Sequence, residues 1–191
     1  MKAILPFSHQ LLKEIVSEGD TVIDATCGNG NDTLFLSKLV GEKGKVYGFD
    51  IQEAAIENTR KRMETNHQRN VVLIQDGHEA IDKYIRTDEK IAGAIFNLGY
   101  LPRGDHSIVT KPASTIKAID LITDSLKIGG RIVLVVYHGH DGGAEERNHL
   151  LAYCQNLDQN FYQVLQYQFI NQKNHPPFIL SLEKIKEVTV H

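Results

Sequence analysis

A polar turn and the residues ending the next apolar runs are spaced as a nucleoside site would need them. The stretch DATCGNGNDT, Asp24 to Thr33, leaves the apolar run TVI through a turn of small polar residues. Gly28 and Gly30 permit positive φ or close approach of the backbone to a ligand. Asp50, in YGFDI, ends the following apolar run twenty residues beyond Gly30, where a carboxylate accepts hydrogen bonds from ribose hydroxyls. Asp76, in NVVLIQDGHE, ends the next one, where a carboxylate accepts from an adenine amino group. A glycine pair alone reads equally as a tight turn without a ligand, and each acid alone as a helix N-cap. Their coincidence at three consecutive run ends points to a bound nucleoside.

The choice of nucleoside follows from one position. A dinucleotide fingerprint wants G-x-G-x-x-G, and Thr33 stands where its third glycine belongs, which compromises the seating of a pyrophosphate. S-adenosylmethionine (SAM) carries no phosphate. Its sulfonium and ammonium are positive, so a turn bearing the carboxylates of Asp24 and Asp32 suits it better.

Short apolar runs must hold these residues in place. TVIDA, KVYGFDI, NVVLIQD, IAGAIFNL and RIVLVVY alternate with amphipathic segments at His9 to Ser17, Thr33 to Leu39, Glu53 to about His67, Ala113 to Leu126 and Ala144 to Leu157. That alternation predicts βα units and a parallel sheet covered on both faces. Lys127-Ile-Gly-Gly is expected to end a helix with a left-handed stop. FYQVLQYQFI and FILSLEKI, joined by a Pro-containing loop, predict a closing antiparallel hairpin. The 191 residues fit a single domain spanning 1–191. A net charge of -3 argues against coating nucleic acid by bulk electrostatics and leaves room for a local basic patch. Two cysteines outside any CxxC pair suit free thiols in a reducing cytosol, and the histidines follow no zinc-ligand spacing, so no metal is expected. Neither a signal peptide nor a membrane span is read, so the expected location is cytoplasmic.

On DATCGNGND, YGFDI, QDGHE and NLGYLP, in that order, the chain resembles the class I SAM-dependent methyltransferases. The resemblance covers the first two thirds. It implies an α/β, Rossmann-like fold with a mostly parallel seven-stranded sheet, an antiparallel C-terminal hairpin and helices on both faces. It also implies cofactor contacts from Asp24, Cys27, Gly28, Asn29, Gly30, Asn31, Asp32, Asp50, Ile51, Asp76, Gly77, His78 and Asn97. NLGYLP is similar to the Asn-Pro-Pro-Tyr signature of amino-group methyltransferases, with Leu98 and Gly99 standing where the prolines would be. In that class the Asn carbonyl accepts hydrogen bonds from the target amine and the aromatic ring stacks on its base, roles the resemblance gives to Asn97 and Tyr100. The alternative is an ordinary turn with Tyr100 packed on its neighbours.

From PFSHQLL through DATCGNGNDT, NLGYLP and YHGHDGG to NHPPFILSLEK, the chain resembles the bacterial YtqB-like family of methylases. That resemblance implies a tRNA N-methyltransferase. Its substrate would be the aminomethyl group of a wobble uridine, often thiolated, its product the methylaminomethyl form, and its partner the anticodon stem-loop. The family shows Tyr-Pro-Gly-His-Pro-Gly-Gly where this chain has Tyr137 to Gly143; Gly139 and His140 carry over, whereas His138 and Asp141 depart and inherit no role. His140 either binds or deprotonates the amine, or only orders a glycine-rich loop. His9, at the start of the first predicted helix, and the last loop from Asn174 to Pro177 are implied at the pocket rim, with His9 alternatively a surface helix residue. Arg103, Lys111 and Lys117 either contact anticodon phosphates, which position without reading sequence, or form a solvated face. An unstacked anticodon base could stack on Tyr100 without being flipped from a duplex.

Three other functions compete: methylation of rRNA or of a small-molecule amine, a nicotinamide oxidoreductase disfavoured by Thr33, and a non-catalytic SAM-binding module. A homodimer is a candidate assembly, with no interface read from the residues.

Overall fold

The computed structural model describes residues 1–99, 110–139 and 142–188. Seven strands form one sheet: β1 (Thr21–Asp24), β2 (Lys45–Phe49), β3 (Val71–Ile74), β4 (Ile91–Leu98), β5 (Leu126–Val136), β6 (Tyr162–Tyr167) and β7 (Phe178–Lys184). Their order is β3-β2-β1-β4-β5-β7-β6. The first five run parallel, while β7 lies antiparallel to both β5 and β6. The predicted sheet and hairpin are therefore present. Chain direction across the sheet reverses beside β1 and β4, where open α/β sheets hold their ligands beyond the strands' carboxyl ends.

Strand alternation sorts the side chains into two cores. On one face Val22, Ile95, Val133 and Val135 pack with Leu11 and Leu12 of α1 (Ile4–Lys13) and Leu36 and Val40 of α2 (Asn31–Val40). On the other, Ile23, Phe96, Ile132 and Leu134 pack with Ile119 and Ile122 of α4 (Pro112–Ser125) and Leu150 and Cys154 of α5 (Gly143–Gln155). The helix α3 (Glu53–Thr65) follows β2 and packs on α2 and β3. The central strands are apolar throughout because both faces are covered. Among the described residues, no helix is long and apolar enough to cross a membrane.

Two local expectations need correction. The first helix starts at Ile4 rather than His9, because Pro6 falls in its opening turn, where backbone N–H groups have no helical acceptor and proline costs little. His9 is thus mid-helix. Nor is there a left-handed stop at Lys127-Ile-Gly-Gly: α4 ends into an extended Leu126, and Gly129, at φ 78°, belongs to an irregularity within β5. Leu126 is fully buried opposite Ile91, and packing of that side chain starts the strand before the glycines.

The N-terminal helix is clamped at its far end. Arg131 donates from Nη1 to the Leu11 carbonyl (3.0 Å) and to Glu14 (2.8 Å), and from Nε to Glu183 on β7 (2.7 Å). Leu12 is fully buried beneath this clamp. Leu12→Ala is expected to lower unfolding free energy by about 2–5 kcal/mol, read from the urea midpoint.

Candidate functional site

The turn after β1 is suspended from its neighbours by backbone hydrogen bonds: Ala25 N–H donates to the Ile95 carbonyl and Cys27 N–H to the Phe49 carbonyl, both at 2.9 Å. Gly28 and Gly30 take φ of 52° and 74°, left-handed conformations that favour glycine. The Gly28 N–H donates to Asp50 Oδ2 (3.0 Å), and the other Asp50 oxygen accepts from the Gln52 N–H (3.0 Å). Asp50 therefore braces the turn while keeping lone pairs for a ligand. Arg62 reaches over from α3 and donates to the Asn29 carbonyl (2.7 Å).

Thr33, which broke the dinucleotide pattern, has a structural task. Its buried hydroxyl donates to Asp24 Oδ2 (2.6 Å), while Asp24 Oδ1 accepts from the Thr26 N–H (3.2 Å). Complete burial of Asp24, reinforced by the nearby Asp32 charge, pushes its carboxyl up to about 7. This fixes a sign. Below about pH 4 the carboxyl is protonated folded or unfolded; between there and pH 7 the folded state keeps a proton the unfolded chain releases, so stability falls as pH rises, then levels off. The cost is about 1.4 kcal/mol for each pH step in that window. Asp24→Asn is expected to remove the slope, so that the variant gains on the parent in unfolding free energy from pH 4 to 7. Parallel curves in urea titrations across that range would contradict this.

Beyond the ends of β1, β4 and β5 lies a cavity of about 450 Å³, within the size range of small-ligand sites. Of the residues expected to contact a cofactor, Cys27, Gly28, Asn29, Asn31, Asp32 and Asn97 line it. Asn97 is held twice: its backbone N–H donates to Thr26 Oγ1 (2.7 Å), and its side-chain Nδ2 donates to Asp32 Oδ2 (2.5 Å). Because the amide nitrogen must face the carboxylate, the amide oxygen remains an acceptor for another donor. The other Asp32 oxygen lies 2.5 Å from His9 Nε2, and the His9 ring stacks on Phe35 with centroids 3.9 Å apart.

The remaining expected residues are spread more widely. Asp24 ends β1 and is fully buried, Gly30 is the last residue of the turn, and Asp50 and the exposed Ile51 lie at the end of β2, all outside the cavity lining. Asp76 accepts from its own neighbour Gly77 (2.8 Å) and from the Tyr84 hydroxyl (2.8 Å), with Lys83 at 3.5 Å, further along the rim. His78 is turned into the core, its Nδ1 3.2 Å from the Ala25 carbonyl and its ring edge-on to Phe96; burial lowers its pKa. Lys111 is exposed at the N-cap of α4 and Asn174 is exposed in the β6–β7 loop. Tyr100, Arg103 and His140 lie outside the described residues. Gly99 has φ 148°, which a proline ring cannot adopt, so in this conformation position 99 could not hold the second proline of an Asn-Pro-Pro-Tyr sequence.

The structure adds lining residues that sequence reasoning missed, Thr26, Tyr137 and His138, and brings His175, from the loop segment implied at the rim, to the cavity wall. His138 is buried, and burial, then Arg147, lower its pKa. The one available signal was its place just past β5, whose carboxyl end adjoins that of β4. Burial, then Asp24, raise the Cys27 thiol well above its ordinary value, which favours the protonated form.

Comparison with known proteins gives this geometry its relatives. Residues 46–183 match the family described as "Putative rRNA methylase". The chain is 36% identical over 186 residues to a chloroplastic tRNA (mnm(5)s(2)U34)-methyltransferase of Arabidopsis thaliana, an alignment covering 93% of this chain and 68% of the relative. A Clostridium thermocellum crystal structure described in the same words as the family superposes with a TM-score of 0.94 at 49% identity, covering 97% of this chain and 99% of that one. A Streptococcus mutans protein crystallised in complex with S-adenosylhomocysteine (SAH) superposes with a TM-score of 0.89 at 44% identity, covering 96% and 99%.

Proposed function

We propose, because the chain belongs to the rRNA methylase family described above, that it is a SAM-dependent N-methyltransferase acting on tRNA. Its substrate is the aminomethyl group of 5-aminomethyl-(2-thio)uridine at the wobble position, which becomes the methylaminomethyl form. The observation that carries this reading is the orientation of Asn97: its amide nitrogen is spent on Asp32, so its oxygen is the acceptor offered to an amine.

The residues fit the cofactor. Gly28, Asn29 and Asn31 line a cavity in which the Asp32 carboxylate adds negative charge suited to a sulfonium, whose positive charge SAH lacks. Asp50 and Asp76 keep unused lone pairs for ribose and adenine donors. When bound, SAM supplies the electrophilic methyl group. The chain itself orients and desolvates. An accepted N–H on Asn97 fixes the amine's lone pair in direction, and oriented reactants reach effective molarities of about 10⁵ M or more. Leu98 and Tyr137 beside Asn97 restrict water. The anticodon loop is the partner, and the exposure of Lys111 at the N-cap of α4 supports a phosphate contact there.

The test is direct. Labelled SAM with tRNA carrying aminomethyl-uridine should place label in that nucleoside, and tight SAH binding with unlabelled tRNA would defeat the reading. The family's description favours rRNA as a second substrate class, so an rRNA arm belongs in the same assay; label there alone would replace tRNA.

A further inference from the structure

Three side chains from separate elements form one chain of contacts reaching from the cavity to solvent. Asn97 Nδ2 and Asp32 Oδ2 are 2.5 Å apart, as are Asp32 Oδ1 and His9 Nε2. Asp32 lines the cavity and its side chain is 13% exposed; His9 stands behind it at 28%. The His9 ring lies flat on Phe35, with an interplanar angle of 2°, and its helix is clamped by Arg131. A histidine serving only as surface decoration needs neither the stack nor the carboxylate. From this geometry we infer that Asp32 and His9 form a proton relay that converts the substrate's alkylammonium into the attacking amine and discharges the proton to solvent.

The inference deepens the methyl-transfer reading and rests on it. An alkylammonium has no lone pair and cannot attack. One N–H bond must break first, with its electron pair staying on nitrogen and its proton passing through Asp32 to His9 Nε2. Nitrogen then bonds to the methyl carbon as the carbon–sulfur bond breaks onto sulfur, giving a secondary ammonium, neutral SAH and one released proton. Asp24 cannot take Asp32's part: it lies behind the turn and already accepts from Thr33 and Thr26. Asp32, expected from the sequence among the cofactor ligands, thus serves the substrate amine.

Other titratable groups surround the pair from every side. Asp24 and, just past the end of β5, Tyr137 both lie near enough to feel the Asp32 charge. Lys13, on the same helix as His9, holds its ammonium 5.6 Å from the Phe35 ring centroid. His138 and His175 line the same cavity.

Single-turnover methyl transfer to tRNA carrying aminomethyl-uridine, measured from pH 6 to 9.5, tests the relay. His9→Gln keeps a hydrogen-bond partner for Asp32 but cannot carry a proton; His9→Phe keeps the stack and removes both nitrogens. Both are expected to lose about 10²-fold at pH 7 and to recover as pH rises, because hydroxide and bulk water then deprotonate the amine. SAH affinity and melting temperature are expected to stay at parental values. A parental pH profile in His9→Gln, or an equal loss at every pH, would overturn the relay, since either makes His9 a mere prop. Loss of SAH affinity in Asp32→Asn would also overturn it, by returning Asp32 to the cofactor. Absence of transfer by the parent protein would instead sink the underlying reading.

Discussion

Asn97→Ala is expected to slow methyl transfer by about 10²–10³-fold, the scale seen when one preorganised hydrogen-bonding group is removed from a reacting centre. The variant should fold, because the backbone N–H of residue 97 still donates to Thr26 and β4 keeps its pairing with β5. What disappears is the amide oxygen that directs the amine, together with the Nδ2 donor that holds Asp32. SAH affinity should change little, since the turn from Cys27 to Asn31 and the carboxylate of Asp50 are untouched. Titration of SAH beside single-turnover kinetics separates the two effects. A parallel loss of binding and rate would make Asn97 a cofactor ligand, and an unchanged rate would remove it from the mechanism.

Gly30→Val should have the largest effect on stability. The residue sits at φ 74°, and a Cβ built there would lie 2.9 Å from the Thr59 Cα and 3.0 Å from both outer atoms of its side chain. Left-handed backbone at a β-branched residue costs about 1–3 kcal/mol, and overpacking a closed site adds about 1–3 kcal/mol. Against a typical total of about 5–15 kcal/mol, that sum removes a large share of the folded state's margin. Gly129→Val is the control: φ is similar at 78°, but nothing lies within 4 Å of its Cβ. It should show the backbone cost alone. Equal urea midpoints for the two variants would mean that Thr59 yields and the contact between α3 and the turn is unimportant.

Much of the architecture was legible because its signals are local. Apolar runs such as IAGAIFNL read as buried strands without knowledge of their neighbours, since a parallel strand covered on both faces has no polar side to show. The hairpin of β6 and β7 was legible from two runs lacking an intervening helix. Helix ends were less so. Pro6 looks like a boundary in a linear reading and sits inside the first turn, while Leu126 begins a strand ahead of two glycines because the core claims its side chain.

The site divides along the same line. Residue types and spacing alone determined that a glycine turn, Asp50, Asp76 and Asn97 would meet at one rim, because every strand of a parallel sheet delivers its last residues to the same edge. Tertiary structure decided which of them face the cavity, that His78 turns inward, that Thr33 serves Asp24, and that His9 reaches Asp32 from 23 positions away. Backbone periodicity places a residue at an edge or on a face; the direction of its side chain depends on burial and on hydrogen-bond partners distant in the chain, which no short stretch encodes.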